Sequence, residues 1–220
     1  NIACGVFFSA INAFMAANLN TRLPGAKNTE IQSLSLTPDE AEQASRDMAQ
    51  ELESEGIVML ENKNDALPLS EGEKINLFGY SSIDPIYGGS GSGAGDNTNN
   101  IDLIQGLTNA GFEVNQELVD FYQNSGVSRP ESTGFSGANF TPAEVPAEQY
   151  TDELLTSARE YSGVAVVVIS RTGGEGDDLP QDMYAAGYSE TDDGSHYLEL
   201  TQDEKDLLEL VKAQNFDKVI

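Results

Sequence analysis

Arg171-Thr172-Gly173-Gly174-Glu175-Gly176-Asp177-Asp178 gathers three carboxylates, one guanidinium and three glycines directly after the apolar run Val164-Ala165-Val166-Val167-Val168-Ile169-Ser170. Carboxyl groups on a glycine-freed loop can exchange protons with a bound molecule, and the end of a buried strand is where open α/β sheets place ligand chemistry. Glu175, with a glycine on each side, is the centre of this reading. His196, the single histidine, lies in the polar run Ser189 to Tyr197 near Asp192 and Asp193. A lone loop histidine is ordinarily a solvated side chain. No second histidine or cysteine completes a zinc set and no Asp-x-Asp-x-Asp-Gly run forms a calcium loop, so the sequence predicts neither metal nor cofactor.

A second glycine-dense stretch, Tyr87-Gly88-Gly89-Ser90-Gly91-Ser92-Gly93, invites comparison with phosphate-cradling turns, where backbone amides before a helix face an anion. Its spacing does not fit. With Gly89 and Gly91 as the first glycines of a dinucleotide fingerprint the third position is Ala94, the Walker form needs a lysine after Gly93 and finds Ala94, and Asp96 would repel phosphate. Glu113 lies near the distance of a ribose-binding acid, but it is one acid among 37. The better reading is a turn whose missing side chains let another chain segment or a ligand come close.

Strands and helices alternate around these loops. Thr37-Pro38-Asp39-Glu40 supplies an N-cap, a first-turn proline and an acid at the third helical position; Ala44, Met48 and Leu52 mark one face and Gly56 ends the helix. Ile57-Val58-Met59-Leu60 starts an extended stretch, and Asn64-Asp65 with Pro68 turns the chain. A strand is predicted over Ile75 to Gly79, a helix from Ile101 to Ala110 capped by Gly111, and a strand at Phe112-Glu113-Val114. Gly126 to Ala147, rich in Ser, Gly, Pro and Asn, reads as an insertion wrapped over the surface. Leu154, Leu155, Ala158 and Tyr161 make a helix face, the valine run a central strand, and Thr201-Gln202-Asp203-Glu204 opens a second boxed helix carrying Leu207, Leu208, Leu210 and Val211. Lys218-Val219-Ile220 begins a further strand. The prediction is an α/β fold, a mostly parallel sheet flanked by helices over residues 37–220, and a polypeptide that continues past the strand in which it stops.

With 37 acidic against 11 basic residues and a net charge of −26, the chain repels nucleic acid and anionic membrane surfaces. Most of that charge is a solvated surface. Its hydrophobic fraction of 39% is enough for a real core. A single cysteine, Cys4, rules out an internal disulfide. Residues 1–36 form an N-terminal arm and linker: Asn1 to Thr21 has no charged side chain, and Phe7, Ile11 and Phe14 recur at helical spacing. A membrane anchor remnant, a signal remnant and a helical arm packed on a neighbouring domain all remain open, so the localisation stays open between membrane-anchored and cytoplasmic in a bacterium.

Glu55-Gly56-Ile57-Val58-Met59-Leu60-Glu61-Asn62 with Leu67-Pro68-Leu69, Ile75 to Gly79, Tyr87 to Gly93 and Val166 to Asp178 make four ordered blocks. Together they resemble the α/β sandwich domain of glycoside hydrolase family 3, as found in bacterial β-glucosidases, from about Ala49 to Ile220. The resemblance implies that the Gly-Glu-Gly loop supplies the general acid/base, here Glu175, of a retaining β-glycosidase acting on a β-glucoside or related oligosaccharide. It also implies a nucleophilic aspartate on a separate (β/α)8 barrel. An apolar start, this domain and an end in mid-strand look like a permuted member in which the sandwich leads. The barrel signature Ser-Asp-Trp cannot occur in a chain without tryptophan, so this chain is expected to be catalytically incomplete.

A retaining glycosidase needs two carboxyl groups about 5 Å apart, and two domains can supply one each. Under this reading an apolar or acid-crowded setting, with Asp177 and Asp178 beside it, raises the Glu175 pKa so that the acid stays protonated near neutral pH. Arg171, Asp178, Tyr87 and Ser90 are expected to contact substrate. Arg171 has a strand-end ion pair as its competing role, and Tyr87 and Ser90 a turn-only role. Asp177 and Asp178 stand where other members have an arginine. The alternative function is a non-catalytic carbohydrate-binding or interaction domain on the same scaffold.

Overall fold

The computed structural model describes residues 37–95, 97–130, 132 and 137–220. The arm, Cys4 and most of the linker expected over residues 1–36 lie outside them. The chain divides into two compact units, Asn1–Leu60 and Glu61–Ile220.

In the first unit, helix α1 spans Pro38–Gly56 with the expected capping box: the Thr37 side chain accepts from the Glu40 amide, and the Glu40 carboxylate accepts from the Thr37 amide at 2.7 Å. Met48, Leu52 and the whole of Ile57 to Leu60 are exposed. That apolar tetrad forms no strand. No helix among the described residues is long and apolar enough to cross a membrane.

The second unit is built on a four-stranded, all-parallel sheet in the order β2-β1-β3-β4, with β1 Lys74–Phe78, β2 Glu113–Val114, β3 Val164–Val167 and β4 Lys218–Val219. Asn76, Leu77 and Phe78 lie beside Ala165, Val166 and Val167, so the two central strands run in step and end together. Helices α2 Leu103–Asn109, α3 Gln116–Gln123, α4 Asp152–Tyr161 and α5 Gln202–Ala213 accompany the sheet. Helix α3 is absent from the sequence reading. Its signal is present all the same: Asn115 caps it by accepting from the Glu117 amide, and Leu118, Val119 and Tyr122 fall on one buried face.

Phe78, Leu118, Tyr122, Leu154, Leu155, Ala158, Leu207 and Val211 form the main core. Each large apolar side chain there contributes about 1.5–3 kcal/mol by leaving water. Asn76 brings polar order to it. Its side-chain amide donates to the Ala158 and Ser162 carbonyls, both at 3.0 Å, and its oxygen accepts from Asn115 at 2.8 Å, so β1, α4 and the start of α3 are locked in register.

The stretch from Gly126 to Ala147 corrects one expectation. Its described residues have almost no regular structure, yet Ala138, Phe140 and Val145 are buried, and Glu144 reaches under the end of β1 to accept from the Tyr80 amide. Its apolar residues are too sparse to show periodicity, but Ala138, Phe140 and Val145 are anchored individually. Ala138 and Phe140 join Met183 and Tyr197 in a second small core, where the Phe140 and Tyr197 rings meet edge-on with centroids 4.8 Å apart.

Candidate active site

Beyond β1, Gly79 turns the chain with φ of +92°, and a Cβ there would lie 2.4 Å from the Val168 carbonyl oxygen. This close approach lets the segments that leave β1 and β3 travel side by side. Strand β1 connects to β2 on one flank and β3 pairs on the other, so the crevice between β1 and β3 is the switch point of the sheet, where parallel α/β sheets hold ligands.

The two glycine-rich stretches meet there. Ser90 and Gly174 form an isolated parallel bridge, made by the Ser90 amide to the Gly173 carbonyl at 3.2 Å and the Glu175 amide to the Ser90 carbonyl at 3.4 Å. A Cβ on Gly89 would sit 2.0 Å from the Gly173 oxygen, so glycine is required for the approach. The turn therefore does what its composition suggested: it admits another chain segment.

Glu175 is exposed at the tip of this pairing. Its Oε2 accepts from the Ser92 amide at 2.7 Å and from the Ser92 hydroxyl. Those two hydrogen bonds, the hydroxyl first, hold its carboxyl below the usual carboxylate range. This corrects the expectation of a raised value from apolar surroundings and acid crowding. Asp178 is exposed, and Asp177 faces the other way, accepting from the Ala138 amide at 3.0 Å.

Arg171 is committed to the protein. Its guanidinium makes a fork to Glu204, both oxygens at 2.6 Å, and donates to the carbonyls of Tyr197 at 2.8 Å and Glu199 at 2.7 Å. The Glu204 hydrogen bonds raise its pKa above the ordinary arginine value. The strand-end ion pair is formed, and the guanidinium donors are engaged within the protein. Glu204 is also the third residue of the α5 capping box with Thr201. Tyr197 completes the brace: its hydroxyl accepts from the Thr172 amide at 2.7 Å. Neither Glu204 nor Tyr197 carries a local sequence signal of this contact, because partners 33 and 25 residues apart leave no local trace.

Ser90 is only 3% exposed, with its Oγ packed where a side chain on Gly174 would be. It holds the bridge and does not line the cleft. Tyr87, 44% exposed, does face an open hollow of about 390 Å³ bordered also by Gly89, Asn97, Arg129, Asn139 and Thr172. His196 is half-buried in its loop, where Nδ1 accepts from the Leu198 amide at 3.1 Å.

A family model described as the glycosyl hydrolase family 3 C-terminal domain matches residues 57–220. Beta-glucosidase A of Butyrivibrio fibrisolvens is 29% identical over 194 residues, covering 82% of this chain and 22% of that protein. A beta-glucosidase of Ruminococcus albus is 31% identical over 175 residues, covering 78% of this chain and 17% of that one. Among solved structures, a beta-glucosidase from Paenibacillus barengoltzii matches with a TM-score of 0.60 and 29% identity, over 79% of this chain and 17% of its own. Beta-glucosidase 3B from Thermotoga neapolitana in complex with glucose matches with a TM-score of 0.58 and 28% identity, over 80% of this chain and 23% of its own. The chain spans about a fifth of the length of the curated relatives it matches.

Proposed function

The chain belongs to glycosyl hydrolase family 3, and from that premise we propose that it is the acid/base-bearing domain of a retaining β-glycosidase acting on β-glucosides, with Glu175 as the proton donor and acceptor. The observation that carries this reading is an exposed carboxyl at the sheet's switch point, free of any ion pair among the described residues and presented on two paired loops. The nucleophilic carboxylate would stand on a (β/α)8 barrel outside this chain, so the chain alone is inactive.

As general acid, Glu175 must carry a proton when the glycosidic oxygen departs; as general base, it must then take one from water. The Ser92 bonds favour the anion in this structure. In the assembled cleft a second carboxylate about 5 Å away and a sugar that excludes water would push the pKa back up. Tyr87 and Asp178 are exposed and would meet the leaving group or sugar, whereas Arg171 and Ser90 serve the scaffold.

Glu175→Gln in the full-length protein is expected to slow hydrolysis of alkyl β-glucosides by roughly a hundred- to ten-thousandfold. Activated aryl glucosides are spared more, and azide restores part of the rate of Glu175→Ala. Wild-type turnover in either variant sinks the assignment. The Ser92 hydrogen bonds, which suit a Glu175 anion, leave a second reading, a carbohydrate-binding domain without chemistry. Under it the wild-type full-length protein binds β-glucosides in calorimetry but does not hydrolyse them.

A further inference from the structure

The seat under the Glu175 carboxyl is more specific than exposure alone would require. Oε2 takes both Ser92 donors, while no hydrogen bond to Oε1 occurs among the described residues. The turn beneath, Gly91–Gly93, closes through the Ala94 amide to the Gly91 carbonyl at 3.1 Å. A Cβ on Gly91 would stand 2.6 Å from the Glu175 Cβ and 2.8 Å from Oε2, and Gly91 has φ of +73°, so any other residue there is strained and displaces the glutamate. Backbone pairing of Ser90 with Gly174 and Glu175 fixes the distance between seat and carboxyl.

We infer that Ser92 is a positioning residue for Glu175, tying up Oε2 so that Oε1 is the oxygen that carries and delivers the proton. The chemistry follows from donor count. An amide N–H can only donate, so the oxygen it faces must keep a lone pair toward it and is the poorer place for a proton. Oε1, without such a donor, takes the proton and projects it toward the leaving oxygen. When the proton has gone to the leaving oxygen, the Ser92 hydroxyl stabilises the anion, until Glu175 takes a proton from the attacking water and is again the acid for the next turnover. Ser92 makes no contact with the reacting atoms in this scheme. It acts through the orientation and proton affinity of Glu175.

The inference rests on the acid/base reading of Glu175, and its test separates the two. In the full-length protein Ser92→Ala is expected to lower kcat/KM for an alkyl β-glucoside about tenfold and for an activated aryl glucoside by less than about threefold, because only the first needs the proton. Loss of a hydrogen bond to the anion also raises the Glu175 pKa, so the alkaline limb of the kcat/KM profile moves to higher pH. Ser92→Thr, which keeps the hydroxyl, restores both. Gly91→Ala shows the same substrate selectivity with a larger loss. Equal losses on both substrates, or an unmoved alkaline limb in Ser92→Ala, overturn the inference while leaving the assignment of Glu175 intact. If Glu175→Gln itself lacks substrate selectivity and azide rescues no activity in Glu175→Ala, the acid/base reading fails first.

Discussion

Arg171 and Glu204 form the least exposed ion pair among the described residues, with side chains 19% and 8% accessible. Removing one member of such a pair leaves the other charge without its partner in a poorly solvated place. Arg171→Met is therefore expected to lower the unfolding free energy of this chain by about 2–4 kcal/mol, less than for a fully buried pair, as read from urea midpoints. Arg171→Met with Glu204→Gln should recover part of that loss, because no orphaned carboxylate remains. A double variant no more stable than the single would show that the guanidinium acts mainly by packing on Tyr197, whose ring centroid lies 5.6 Å away. Arg171 was legible as the residue ending the strand and opening the acidic loop. Its partner was not, since Glu204 looks in sequence like any capping-box acid, and here the same carboxylate caps α5 and holds the arginine.

Paired glycine-rich loops give the element scale its own test. Gly89 and Gly173 face each other across the bridge, yet their tolerance should differ sharply. A Cβ on Gly89 runs into the Gly173 carbonyl, whereas one on Gly173 meets nothing within 4 Å and the residue has no positive φ. Gly89→Ala is expected to cost about 1–3 kcal/mol and to separate the loops, while Gly173→Ala stays within about 0.5 kcal/mol of wild type. Thermal melts of the chain check both, and a neutral Gly89→Ala would mean that the loops are not held in contact. The two capping boxes and the strand cores were readable because their signals are local, four residues for a capping box and four to five for a strand. Helix α3 carries the same kinds of signal, the Asn115 cap and the Leu118, Val119, Tyr122 face, but at eight residues behind the two-residue strand β2 it is too short for its period to stand out.

At the scale of the whole molecule, Glu144 links the irregular stretch before α4 to the end of β1. It accepts from the Tyr80 amide at 3.1 Å and the Val145 amide at 2.8 Å, and burial pushes its pKa up from 4.5 to about 7. A folded pKa above the unfolded one means that the folded chain keeps a proton which the unfolded chain releases. Stability from this group is complete below about pH 4.5 and is lost as the pH rises to about 7. The loss is on the order of 3 kcal/mol, and Glu144→Gln should flatten that part of the urea-midpoint profile. A profile unchanged by the substitution would locate the titration elsewhere. Strand and helix alternation, the parallel sheet, the family blocks and the acidic loop after β3 were all determined by the sequence, because hydrophobic period, capping and glycine placement act over a few residues. The tertiary structure alone decided that Arg171 forks onto Glu204, that Ser90 is buried under the bridge, that Ser92 bonds Glu175, and that Ala138, Phe140 and Val145 are buried. Each of those depends on which distant donor or apolar surface lies within a few ångströms, and that distance exists only after β1 and β3 have paired.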